Sequence, residues 1–94
     1  HLSLGTPSAL KCLQIAANTR HILAIEFLLA AQAFEFYPGQ KPGRGTGAAY
    51  RALRSEIPAY VRDRFLSPDI ALVARRMAEA DWGARVAATL PSVL

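Results

Sequence analysis

Apolar residues return every three or four positions at Leu10, Leu13, Ala17, Ala24, Phe27, Leu28, Ala31 and Phe34, the period of one face of an α-helix. Thr6-Pro7-Ser8 just upstream reads as an N-cap followed by proline at the first helical position, where its missing N–H costs nothing. Pro38-Gly39 forbids continuation, so the pattern predicts one long helix over about residues 6–37. Lys11, Gln14, Asn18 and Arg20 give its first half a polar side, whereas from Ile22 to Phe36 only Glu26, Gln32 and Glu35 are polar. That second half is patterned like a helix buried on most sides. A bilayer would need about 20 apolar residues, and this stretch is shorter and carries two carboxylates.

Prolines and glycines crowd residues 38–46, a loop. Gly43, Gly45 and Gly47 do not complete a Walker or dinucleotide-binding spacing, so the loop reads as a mobile connector. Thr46 can cap a second helix over about 47–57, with Tyr50, Leu53 and Ile57 on one face and Arg51, Arg54 and Glu56 toward solvent, ended by Pro58. After a bridge over residues 60–66, Ser67-Pro68-Asp69 repeats the cap signature and opens a third helix over about 68–81. Ile70, Val73, Ala74 and Met77 form its inner stripe, and Arg75 with Glu79 an outward i, i+4 pair. Trp82-Gly83 closes it, leaving an apolar tail over 84–94 that should dock on something. With no alternating strand pattern and no repeat, the fold class is all-α: one long helix plus two shorter amphipathic helices.

At 1.5 Å per residue a helix of about 30 residues reaches about 45 Å, longer than any compact body this chain could form. The helix is therefore expected to sit in a larger helical bundle supplied by other segments or subunits. Composition agrees, because 94 residues at 52% hydrophobic and 19% charged are too apolar for disorder and too few for a multidomain enzyme. The net charge of +4 and pI of about 9.8 would permit nucleic-acid binding. The basic residues are nevertheless scattered among acids with no aromatic-interleaved run, so neither nucleic acid nor membrane is expected as a partner.

Cys12 is the one cysteine, so no internal disulfide forms and a reducing, cytoplasmic setting follows; with only two histidines beside it, no structural metal site is expected. Cys12 itself reads as a small buried residue on the long helix. The chain opens on His1 instead of Met, which suggests a processed or excised piece of something longer. For nucleophilic or acid–base chemistry the candidates are thin. His1 is terminal, His21 lies mid-helix beside Arg20, and Glu26 and Glu35 face nearly opposite ways round the helix. No catalytic residue is assigned. Glu26 stands in apolar surroundings with Ile22, Leu23, Leu29 and Ala30 one turn away, so it is expected to be a buried ion-pair member. Arg54, Arg62 or Arg64 could serve it, or an arginine from outside the chain. Arg20 and the Asp63–Arg64 neighbours are further structural ion-pair candidates, while Glu35 near the helix end should matter little.

Several short segments in order carry a family likeness: His1-Leu2-Ser3-Leu4, Asn18-Thr19-Arg20, Leu23-Ala24-Ile25-Glu26, Ala31-Gln32, Arg54-Ser55-Glu56, Asp63-Arg64-Phe65, Pro68-Asp69-Ile70 and Leu90-Pro91-Ser92. Together they resemble the C-terminal region of the histidine ammonia-lyases, a branch of the aromatic amino acid ammonia-lyase superfamily. The resemblance implies an all-helical tetramer with long helices in a central bundle and active sites shared between subunits. It also implies elimination of ammonia from an aromatic amino acid by a methylidene-imidazolone formed from Ala-Ser-Gly. No Ala-Ser-Gly occurs here, so that cofactor and the catalytic and substrate-binding residues would lie outside this sequence. Only His1 would stand at an active-site edge, following a family Gln-Glu-Asp motif just upstream.

The chain departs from the family pattern in its Gly- and Pro-rich loop and at Asp81-Trp82-Gly83-Ala84-Arg85. Histidine is the favoured substrate of the complete enzyme because Asp63-Arg64-Phe65, Pro68-Asp69-Ile70 and Leu90-Pro91-Ser92 look nearest that branch. The implied partners are the missing N-terminal portion and homo-oligomer subunits, and the implied role is assembly. The alternatives are a lyase or aminomutase for phenylalanine or tyrosine, or a stand-alone helical interaction module derived from the family.

Overall fold

A computed structural model describes residues 4–92. The long helix is α1, Gly5–Phe34, 30 residues and so about 45 Å. It starts two residues earlier than the cap signature suggests: Leu4, not Thr6, is the N-cap and no side chain caps the end. Pro7 is thereby the third helical residue, still among the four whose N–H groups lack an intrahelical acceptor, so proline is tolerated there. At the other end the helix stops before Pro38, tightening through i→i−3 bonds from Glu35 N to Gln32 O (3.0 Å) and Phe36 N to Ala33 O (3.1 Å).

Helix α2 spans Arg44–Arg54, with Gly43 in extended conformation (φ −61°, ψ 169°) at its N-cap. Thr46 is therefore inside the first turn and not the cap, and the helix ends three residues before the predicted Ile57. Gly45 makes a close approach possible: a Cβ there would meet Leu90 Cδ2 at 3.2 Å. Helix α3 spans Ser67–Ala78, with Leu66 at the N-cap and Ser67-Pro68 already helical. Glu79, at φ −93° and ψ 162°, breaks the chain direction for one residue, and a fourth helix, α4, runs Ala80–Ala87. The expected third helix to residue 81 and apolar tail from 84 are thus corrected. Trp82-Gly83 lies inside α4, because a single extended residue suffices to end one helix and cap the next.

α1 packs on α3, α3 on α4, and α4 on α2. The core joins Ala24, Leu28 and Ala31 of α1 to Ala52 and Leu53 of α2, to Ile57 of the turn after α2, to Val73 and Ala74 of α3, and to Trp82 of α4. Phe27 meets the Trp82 ring edge-on at 5.9 Å, and Phe34 meets Tyr50 likewise at 5.7 Å. No strand occurs among the described residues, so the chain is all-α. No described helix is long and apolar enough to cross a membrane. The radius of gyration is 16.8 Å, against about 12 Å for a compact body of this length. The difference is α1: its buried residues are Ala24, Leu28 and Ala31, and every described residue before Ala24 is exposed.

Candidate functional site

The largest feature without an internal explanation is the uncovered surface of α1. Leu10, Leu13, Ile15, Ile22 and Leu29 are 55–68% exposed. An exposed helix gains little from propensity alone and depends on packing for its stability, and burying one such side chain is worth about 1.5–3 kcal/mol. Uncovered apolar surface of this extent marks an interaction site. Cys12 lies on the same helix and is exposed, which corrects the expectation of a buried thiol: no described residue of α1 before Ala24 is buried. Nearer the body, Leu23, Phe27, Ala30 and Phe34 form one wall of an open groove against Ala49 and Met77. The groove continues past Phe27 and Met77 to Trp82, Val86 and Leu90. Met77 is thus half-buried lining, as its place on the inner stripe suggests.

Behind this surface two polar braces hold α1 to the body, and a third ties the body together. At the end of α1, Glu35 accepts hydrogen bonds from the Tyr50 hydroxyl and, at 3.0 Å, from Arg54 Nε. The Tyr50 bond and then the Arg54 bonds hold the Glu35 carboxyl below its ordinary value. One turn earlier, Gln32 grips the backbone of Tyr60 in both directions: Tyr60 N donates to Oε1 at 3.0 Å and Gln32 Nε2 donates to the Tyr60 carbonyl at 3.3 Å. Tyr60 in turn donates to Asp69 at 2.8 Å, while the Arg64 guanidinium stacks over its ring at 3.9 Å and bonds Asp69 at 3.1 Å. Burial and then the bond to Asp69 raise the Tyr60 phenol. The third brace joins α3 to the turn after α2 through Arg76 and Glu56, with Glu79 on the same guanidinium at 3.2 Å.

The sequence candidates fall differently from expectation. His1 lies outside the described residues. Glu26 is exposed and forms no ion pair among the described residues. Of the arginines proposed for it, Arg54 is taken by Glu35 and Arg64 by Asp69. Asp63 is exposed and likewise unpaired among the described residues, so Arg64 bypasses its neighbour for a carboxylate on the first turn of α3. Arg20 also has no carboxylate partner among the described residues and lines a shallow recess with His21, Ala71, Ala74 and Arg75. His21 donates from Nδ1 to the Ala17 carbonyl at 2.9 Å. Arg75, expected to pair with Glu79, forms no ion pair among the described residues; Arg76, rotated by about 100°, makes that contact at i, i+3.

No sequence pattern marks Glu35, Tyr50, Arg54, Tyr60, Asp69 and Arg76 as a set. Tyr50 and Arg54 at i, i+4 on one helix were the only local hint, because the other partners are far apart in the chain. No group of three or more His, Cys, Asp or Glu able to hold a metal occurs among the described residues. No nucleophile with a base and an orienting acid is assembled among them either. What the arrangement presents is a braced helix with an apolar face, on which Arg20 and Glu26 have no ion-pair partner among the described residues.

The comparisons with known proteins fit that picture of a part. A family model described as aromatic amino acid lyase matches residues 1–55. Histidine ammonia-lyase of Symbiobacterium thermophilum is 42% identical over 88 residues, which is 94% of this chain and 17% of that protein. The histidine ammonia-lyase of Stigmatella aurantiaca is 48% identical over 73 residues, 78% of this chain and 14% of its own. That of Photobacterium profundum is 38% identical over 90 residues, 96% and 18% respectively. The chain therefore spans less than a fifth of the length of these curated relatives, and no solved structure matches it. Since the family match covers more than half of the sequence and relatives at about 40% identity cover nearly all of it, the chain belongs to the aromatic amino acid lyase family.

Proposed function

We propose that this chain is the C-terminal helical part of a histidine ammonia-lyase, converting histidine to urocanate and ammonia as a whole protein, and that its own work is assembly. In this reading α1 enters a helical bundle with the rest of the enzyme and with neighbouring subunits, and the protein works in the cytoplasm. The observation that supports it is the apolar surface of α1 at Leu10, Leu13, Ile15, Ile22 and Leu29, which the described residues leave exposed. The family cofactor does not fit here: no Ala-Ser-Gly occurs in the sequence, so no step of the reaction is assigned to these residues.

The test is a chimera in which these residues replace the matching segment of the Symbiobacterium thermophilum enzyme. Retained urocanate formation and retained oligomeric state support the reading. A chimera that folds but neither assembles nor turns over histidine overturns it. The 94-residue chain alone is expected to release no urocanate, and turnover by it would remove the basis for an assembly role.

A further inference from the structure

Five of the seven carboxylates of the chain are paired internally, at Glu35, Glu56, Asp69, Glu79 and Asp81. Glu26 is one of the two left over, and it lies on α1 six residues after Arg20, which is also without a carboxylate among the described residues. Midway between them is Leu23, an apolar side chain left 44% exposed. At 100° per residue Arg20 and Glu26 flank Leu23 at about 60° to either side, and Ala16 and Ala30, seven residues away in each direction, lie within about 20° of it. Both alanines are exposed. The stretch is thus symmetric about Leu23 in size and antisymmetric in charge: small residue, cation, leucine, anion, small residue.

We propose that α1 pairs antiparallel with α1 of a second copy across a two-fold axis at Leu23, closing two equivalent Arg20–Glu26 ion pairs. This rests on the assembly reading above and specifies its contact. In such a pair each residue lies level with the one equally far beyond Leu23 on the other helix. Arg20 then faces Glu26 of the second copy and the reverse, while Ala16 faces Ala30 and lets the axes approach. One surface satisfies its own mirror under a two-fold, which is the requirement for an isologous contact. A partner of different sequence would have to supply both charges in the same order. Burying Glu26 against apolar neighbours without a cation would be unfavourable, so the ion pair also sets the register of the two helices.

The experiment is sedimentation of the full 94-residue chain with Arg20→Glu, Glu26→Arg and the combined swap, with helix content followed by circular dichroism. Each single reversal should weaken self-association about tenfold or more, and the swap should restore it. In parallel, Leu23→Cys in a Cys12→Ser background should form a disulfide-linked dimer on mild oxidation, and Leu29→Cys, on another face, should not. Association indifferent to the single reversals, a swap that does not restore it, or equal cross-linking at Leu29 overturns the pairing while leaving the assembly reading in place. A wild-type chain that sediments as a monomer overturns the pairing, and the chimera above then decides the assembly reading.

Discussion

Arg76 of α3 forks onto Glu56, with Nε at 2.9 and 2.8 Å from the two carboxylate oxygens and Nη2 at 2.6 Å from Oε1. The same guanidinium reaches Glu79 at the α3–α4 break, so one side chain ties the turn after α2 to the point where α3 gives way to α4. Its neighbours push the Arg76 pKa up, chiefly through the Glu56 bond. A lysine has no planar fork and cannot serve both acids in this way. Arg76→Lys should lower the melting temperature by a few degrees and Arg76→Ala by more, read by circular dichroism. Equal melting of Arg76→Ala and wild type would show that the network adds nothing.

Acid should loosen the same braces. The Glu35 carboxyl is held below its ordinary value of 4.5 by Tyr50 and then Arg54, and that of Glu56 by Arg76. A carboxyl whose folded pKa is depressed contributes stability that is fully present above the unfolded value and is lost as pH falls through the folded one. Stability is therefore expected to be flat with respect to these groups above pH 5 and to decline below about 4.5. In denaturant titrations, Glu35→Gln combined with Glu56→Gln should be less stable at pH 7 and show a shallower decline in acid. An unchanged acid limb in that variant would assign the loss to other groups.

α1 was legible because thirty residues of three-and-four spacing between Pro7 and Pro38 leave little choice but a helix, and its excess apolar surface was legible from the same pattern. α4 was not. Trp82-Gly83 looks like a stop signal, but the break comes earlier, at Glu79, whose extended backbone no local residue type announces. The ion pairs were the least legible, since Glu35 with Arg54 and Glu56 with Arg76 join positions about twenty residues apart. Residue spacing reports only neighbours on one helix, which is why Arg75–Glu79 was expected where Arg76–Glu79 forms. Glu26 marks a different gap: its apolar surroundings are real, but they are uncovered in the single chain.

Core and arm should respond oppositely to truncation. Leu53 is fully buried at the centre of the cluster, so Leu53→Ala should cost about 2–5 kcal/mol of folding free energy. Leu13 is 68% exposed on the uncovered arm of α1. Leu13→Ala should leave the intrinsic stability of the body nearly unchanged while weakening self-association. Denaturant midpoints measured at low and high protein concentration separate the two effects, because only the second depends on concentration. A concentration-independent loss in Leu13→Ala would mean the arm folds back on its own chain.

Gly83 offers a gain instead of a loss. It lies in the interior of α4 with a negative φ, and a Cβ added there would meet nothing within 4 Å. Glycine in a helix interior costs roughly 0.5–1 kcal/mol relative to alanine, chiefly by the backbone freedom surrendered on folding. Gly83→Ala should therefore raise stability by about that amount without disturbing Trp82, its buried neighbour in the core. Gly83→Pro should do the reverse, removing a helical N–H and crowding the preceding turn, at about 3 kcal/mol. The pair discriminates between a helix through residue 83 and the loop that Trp82-Gly83 suggests in the bare sequence. In a loop, alanine would give no helical gain and proline little loss. Thermal melts of the two variants, with Trp82 fluorescence reporting the core, read the outcome directly.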